Sequence, residues 1–171
     1  RALIWRYNDQ EKVFSFREMY EVSNQFLNLL RQHGANQGDR IYSLLPLVPA
    51  NWVSFIATIK GGFVMMPTAT NLSSRDLMYR FESLFPEIFI ADIENAAKID
   101  EAEVSFGKKI KLKICVGGRR EGWVSFDDLS GMPIEAEAAK TKADDAVLYF
   151  FTSGTTGLPK IVVHSHFTYP V

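Results

Sequence analysis

Short, nearly unbroken apolar runs recur along this chain, and segments with apolar residues at helical spacing separate them. The runs are IYSLL (41–45), FVMM (63–66), EIFIAD (87–92), IKLKICV (110–116) and AVLYFFT (146–152). A strand that is apolar on both sides has to be covered on both sides, which in practice means a parallel sheet with helices on each face. Between the runs, Met19, Val22, Phe26, Leu29 and Leu30 share one face of a helix over Phe16–Leu30, and Gly34 and Gly38 mark its exit. PANWVSFIATIKGG opens on a proline in its first turn and closes on two glycines, as a helix should. SSRDLMYRFESL offers Ser73 or Ser74 as an N-cap ahead of Leu77, Met78, Phe81 and Leu84. The expectation is an α/β fold: a mostly parallel sheet flanked by helices on both faces and joined by right-handed crossovers. Ser130–Ala143, polar and small, reads as a surface connection rather than a domain boundary.

With 171 residues, 47% apolar and 23% charged, the chain buries roughly 70% of its unfolded surface without the help of bridges or metals. A lone Cys115 in an apolar run makes neither an internal disulfide nor a thiolate cage and reads as a buried strand residue. A net charge of −1 argues against a nucleic-acid partner. The opening RALIWRYND lacks the apolar core and cleavage site of a signal peptide. No stretch approaches the roughly 20 apolar residues that span a bilayer. The expected place is the cytoplasm. The chain begins without methionine and stops in mid-pattern at HFTYPV, which reads as a segment of something longer.

One motif carries chemistry. FFTSGTTGLPKIVVHSH (150–166) starts at the carboxyl end of an expected strand, where open parallel sheets present their ligand sites. Gly154 and Gly157 let successive amides turn towards one anion. Thr152, Ser153, Thr155 and Thr156 add hydroxyl donors, Lys160 adds a positive charge, and Pro159 stiffens the approach to it. Taken alone, SGTTG reads equally as a turn rich in turn formers. The lysine at a fixed distance and the strand ahead of it favour a polyphosphate site. The loop of nucleotide hydrolases, G-x-x-x-x-G-K-[ST] leading into a helix, does not fit: Gly154 and Gly157 stand too close, Lys160 follows a proline, and Ile161-Val162-Val163 reads as a strand.

YFFTSGTTGLPKIVVHSH resembles the signature of the adenylate-forming enzymes, the superfamily of acyl-CoA synthetases, peptide-synthetase adenylation domains and beetle luciferase. FSFREMYEVSNQFLNLLRQHGANQGDRI and IATIKGGFVMMPT resemble its opening helix and second core motif. LLPLVPANWV, MMPTATNLSSRDLMYRF and EGWVSFDDL are most similar to medium-chain acyl-CoA synthetases. Ile161 stands where many members have glycine, and medium-chain synthetases often carry a larger apolar residue there.

The resemblance implies that residues 1–171 are the N-terminal part of the large AMP-binding domain, truncated, with the small C-terminal domain absent. It implies activation of a medium- or short-chain fatty acid by ATP. The carboxylate attacks the α phosphorus, pyrophosphate leaves, and the thiol of coenzyme A takes the acyl group from the adenylate. Thr152, Ser153, Gly154, Thr155, Thr156, Gly157 and Lys160 would hold the ATP phosphates. His166 would steady this loop or border the acyl site, or else be a helix-start histidine without a role. The nucleobase contacts, the Mg2+ ligand and the catalytic lysine would lie beyond Val171, so no metal ligand and no catalytic residue is assigned within the chain, and the piece alone would be inactive. Two alternatives stay open: a non-catalytic nucleotide-binding or interaction module that keeps the fold, and an adenylation domain that charges a carrier-protein thiol. The missing remainder would leave apolar surface through which the piece self-associates.

Other features have plainer readings. Trp52, Phe55 and Ile59 form a stripe expected to be core. GGRRE (117–121) reads as a solvated turn more than an anion site, KKIKLK (108–113) as a half-exposed strand face, and Asp127 and Asp128 as flanks of a short helical turn. His164 ranks below His166 as a site residue, and His33 reads as solvated.

Overall fold

The computed structural model describes residues 1–152 and 159–169. Strands β1 (Leu3–Tyr7) and β2 (Gln10–Phe14) form a separate antiparallel hairpin. Then follow α1 (Phe16–Gln32), β3 (Arg40–Leu44), α2 (Pro49–Gly61), β4 (Val64–Pro67), α3 (Ser74–Ser83), β5 (Ile88–Asp92), α4 (Ile93–Phe106), β6 (Leu112–Val116), β7 (Val124–Ser125), a 3-10 turn (Phe126–Gly131), β8 (Ala146–Thr152) and β9 (Lys160–Ser165). The main sheet runs β7-β6-β5-β3-β4-β8-β9, parallel throughout except for the last pair, which is antiparallel. The mostly parallel α/β expectation is met.

Strand alternation sorts the apolar runs into two cores. Ile41, Met65, Ile88, Ile90, Leu112 and Ile114 face one side, where Phe26, Leu27 and Leu30 of α1 and Val53 and Ala57 of α2 cover them. Tyr42, Met66, Phe89, Ala91 and Cys115 face the other, beneath Leu77 and Phe81 of α3 and Ala96, Ile99 and Ala102 of α4. Cys115 is buried, as read, and burial pushes its thiol up.

The helix boundaries follow local chemistry. Ser15 and Glu18 close a reciprocal capping box on α1, and Ser73, rather than Ser74, does so with Asp76 on α3. Helix α2 ends where Gly62 turns left-handed at φ 67°, and a Cβ on Gly61 would lie 2.3 Å from the Phe63 ring. The second glycine supplies the turn and the first the close approach. Ser130–Ala143 runs over the surface of α1, as expected. Asn24 Nδ2 donates to the Ile134 carbonyl at 2.8 Å, and Asn28 Nδ2 to those of Pro133 and Glu135 at 2.9 Å each.

Helix α4 has no counterpart among the sequence expectations, and two of those expectations gain contacts. Asp92 caps it by accepting from the Asn95 amide at 2.9 Å, and its buried side is the narrow row Ala96, Ile99 and Ala102. KKIKLK is half-exposed as expected, with Lys109 and Lys111 out and Ile110 and Leu112 buried, but Lys113 lies beneath α4 and donates to Asp100 and Glu103 at 2.7 Å each. GGRRE is a turn tied to its surroundings, because Arg120 Nε donates to Asp100 at 2.7 Å and Arg119 pairs with Asp128.

Trp123 Nε1 also donates to Asp100, at 2.9 Å. Burial pushes the Asp100 carboxyl up, but the hydrogen bonds from Lys113, Arg120 and Trp123 outweigh it and hold the group below its ordinary range. Glu87 is likewise raised by burial and brought lower still by its paired bonds from Arg40. Since folding lowers both values, the unfolded chain binds more protons near pH 4 than the folded chain does. The stability these groups contribute is therefore whole above the ordinary carboxylate pKa of about 4 and is lost as pH falls through the lowered folded values. Urea titrations from pH 6 down to pH 3 should show this acid limb in the protein and a shallower one in Asp100→Asn. Equal slopes would contradict it.

Candidate functional site

Strand β8 lies between β4 and β9 and runs parallel to β4, so its carboxyl end opens on the same edge of the sheet as those of β3 and β4. Thr152 is its last residue and Lys160 the first of β9, and the two face each other as the terminal pair of the antiparallel ladder. Thr152 Oγ1 donates to the Lys160 carbonyl at 3.4 Å. Both residues are exposed. A hydroxyl and an ammonium thus stand at one level of the sheet's carboxyl edge. The ammonium suits an anion and not a cation, since it repels a divalent metal, and the Thr152 hydroxyl joins it as a donor once its proton turns from the Lys160 carbonyl. Ser153, Gly154, Thr155, Thr156 and Gly157 lie outside the described residues.

The strands that carry this pair are fixed on both faces. Towards α3, Tyr79 Oη donates to the Pro159 carbonyl at 2.9 Å, and the Arg80 guanidinium lies over the Phe151 ring, 4.2 Å from its centre. Arg80 Nη1 is buried and has no hydrogen-bond partner among the described residues. Burial pushes the guanidinium pKa down, with Tyr42 and Asp76 only partly opposing this. Towards α2, Phe150, His164, Tyr169 and Phe55 form a chain of edge-on rings with centroids 5.9, 6.3 and 5.4 Å apart in turn. His164 is thus an aromatic spacer.

His166 does not start a helix; it follows β9 in a turn that Ser165 and Thr168 close, with the Ser165 amide donating to Thr168 Oγ1 at 2.9 Å. Its own amide donates to the Asp145 carbonyl at 3.0 Å, and its Nε2 is buried without a partner among the described residues. His33 is exposed. Among the described residues, no group of three or more His, Cys, Asp and Glu side chains is placed to hold a metal, and no helix is long and apolar enough to cross a membrane.

Sequence reasoning left Tyr79 and Arg80 aside because the apolar spacing of α3 selects Leu77 and Phe81 for the core and assigns nothing to the residues between. The available signal was a tyrosine and an arginine beside a core phenylalanine on a helix expected to cover the sheet. Of the stripe expected to be core, Phe55 and Ile59 pack against it, and Trp52 departs from expectation. Trp52 is 44% exposed, and it lines an apolar groove of about 410 Å³ with Leu3, Phe16, Met19, Tyr20 and Ile56. The side of α2 that meets the core is the row Ala50, Val53 and Ala57.

The chain is similar to several known proteins. The 4-hydroxybutyrate–CoA ligase 1 of Metallosphaera sedula is 42% identical over 99% of the chain, and the mitochondrial acyl-coenzyme A synthetase ACSM2 of Rattus norvegicus is 34% identical over 96%. The chain spans 29% of the length of each. Among solved structures, an anthranilate CoA ligase, AuaEII, in complex with anthranoyl-AMP superposes with a TM-score of 0.86 at 27% identity, over 95% of this chain and 31% of that one. A model of the family described as AMP-binding enzyme matches residues 1–169, and with that match over almost its whole length the chain belongs to the AMP-binding enzymes.

Proposed function

We propose that these residues are the N-terminal part of the large AMP-binding domain of an AMP-forming acid–thiol ligase, an acyl-CoA synthetase. A carboxylate oxygen of the acid bonds to the α phosphorus of ATP as the bond to pyrophosphate breaks. The coenzyme A thiol then displaces AMP from the acyl-adenylate, giving acyl-CoA and releasing the thiol proton. The observation that carries the reading is the placement of Thr152 and Lys160 as a facing pair at the carboxyl edge, bracketing a segment whose sequence is rich in hydroxyls and glycines. Charge accumulates on departing pyrophosphate, and fixed donors aimed at it lower the barrier. In this reading Thr152, Ser153, Gly154, Thr155, Thr156, Gly157 and Lys160 hold the phosphates. His166 steadies this loop or borders the acyl site, and Mg2+ is held by residues outside this chain.

The acid is a short- or medium-chain one, and the relative named for 4-hydroxybutyrate adds hydroxylated short acids to that class. The 171-residue piece alone does not complete adenylation. Val162, Val163 and Phe167, exposed on and just beyond the edge strand β9, support its self-association, which sedimentation against concentration would read. The compartment expected from the sequence is the cytoplasm, whereas ACSM2 carries the word mitochondrial in its name; fractionation of source cells separates the two.

The test is exchange of labelled pyrophosphate into ATP by the full-length protein, with carboxylic acids graded in length and hydroxylation. Exchange that requires one acid class, together with none by the isolated piece, is expected. Exchange by the piece alone would overturn its assigned inactivity. No exchange by the full-length protein with any acid would overturn the ligase reading.

A further inference from the structure

Three consecutive residues of α3 serve three directions around the end of the β8–β9 hairpin. Phe81 enters the core among the rings of Tyr42, Phe85, Phe89 and Phe106 and anchors the helix. The Arg80 guanidinium lies over the ring of Phe151, the residue before Thr152. Its own carbonyl accepts from Tyr42 Oη at 3.4 Å, which ties this turn of the helix back to β3. Tyr79 reaches across to the Pro159 carbonyl, one residue outside the last ladder pair.

The chemistry of that carbonyl matters. Pro159 has no amide hydrogen, so its carbonyl is the one main-chain group through which its position can be held by hydrogen bonding. The carbonyl also shares a rigid plane with the Lys160 amide, so fixing one end of the peptide unit fixes the other. The Tyr79 hydrogen bond therefore orients the peptide from which Lys160 begins, while Arg80, through Phe151, holds the strand end that carries Thr152.

We propose that Tyr79 is a positioning residue for Lys160, with Arg80 as its counterpart for Thr152, so that α3 sets the geometry of the ATP phosphate site from beneath without touching the nucleotide. This rests on the reading of Lys160 as a phosphate ligand. A role confined to stability would affect ATP and acid alike; a positioning role separates them.

The experiment uses the full-length protein and its Tyr79→Phe and Arg80→Met variants, which keep the ring and the aliphatic stem. The removed hydrogen bond, of ordinary neutral strength, should raise KM for ATP about fivefold in Tyr79→Phe and leave KM for the acid within about twofold. Arg80→Met should shift KM for ATP in the same direction. In parallel, hydrogen exchange at the amides of Phe151, Thr152, Lys160 and Ile161 should accelerate about tenfold in Tyr79→Phe, with the amides of α4 and β5 unchanged. Equal rises in both KM values, or strand-end amides that exchange as in the parent, would overturn the proposal. If the parent protein shows no acid-dependent exchange into ATP, the ligase reading fails on its own; the amide comparison then decides, and only acceleration confined to the strand ends sustains the positioning role.

Discussion

Replacing Lys160 with alanine in the full-length protein should lower the rate of pyrophosphate exchange by about two orders of magnitude while leaving the fold intact. The size follows from the task. One preorganised donor aimed at developing negative charge contributes on the order of 3 kcal/mol to transition-state stabilisation, and each 1.4 kcal/mol is about tenfold in rate. The location makes the separation from stability clean. Among the described residues, Lys160 is exposed at the first position of β9 and forms no ion pair. Such surface changes move stability by no more than about 0.5 kcal/mol. Lys160→Arg should recover only part of the rate, because a planar guanidinium is no substitute for a compact ammonium at a fitted anion site. Exchange kinetics beside a urea titration of each variant checks both halves. An unchanged rate in Lys160→Ala would remove this lysine from the phosphate site.

The largest loss of stability is expected at Phe81. It is 1% exposed, with the rings of Tyr42, Phe85, Phe89 and Phe106 at centroid distances of 6.3, 5.2, 6.3 and 5.7 Å. Truncating such a phenylalanine to alanine costs about 3–5 kcal/mol through lost burial and the cavity left behind. For a domain stable by roughly 5–15 kcal/mol, that is a large fraction of the whole. A lower urea midpoint with an unchanged slope is the expected signature. Phe81→Leu, which keeps most of the volume, should cost less. Because α3 carries Tyr79 and Arg80, Phe81→Ala should also weaken ATP use at temperatures where the protein is still folded. A loss below about 1 kcal/mol would mean that the cluster collapses onto the gap.

The alternation of strands and helices was legible because parallel strands buried on both faces show up as unbroken apolar runs. Ile41 and Tyr42, or Ile90 and Ala91, serve opposite cores from adjacent positions. The elements that escaped notice lack that signature. The N-terminal hairpin is mostly exposed, and its turn rests on Asn8 at φ 50°. Helix α4 buries two alanines and one isoleucine among charges, too narrow a stripe to stand out. Without α4, the carboxylates of Asp100 and Glu103 had no visible place, and Lys113 read as a half-solvated strand lysine.

At the site, the motif located the carboxyl edge of β8 and foresaw β9. It could not show that β9 returns antiparallel to set Lys160 opposite Thr152, because strand direction depends on where the chain travels next. Tyr79 was invisible for a related reason: its partner lies 80 positions away in sequence. Trp52 shares its stripe with Phe55 and Ile59, which do pack against the core, and helical spacing alone does not tell which member stays exposed.

Adenylation leaves a product that can be observed. The full-length protein, incubated with ATP, Mg2+ and a short- or medium-chain acid but no coenzyme A, should accumulate an acyl-adenylate in an amount equal to the enzyme. Mass spectrometry of the quenched mixture should detect it, and adding coenzyme A should convert it to acyl-CoA and AMP. Nucleotide bound without adenylate formation, across acids of every length and hydroxylation, would contradict the account and leave a nucleotide-binding module that keeps this fold.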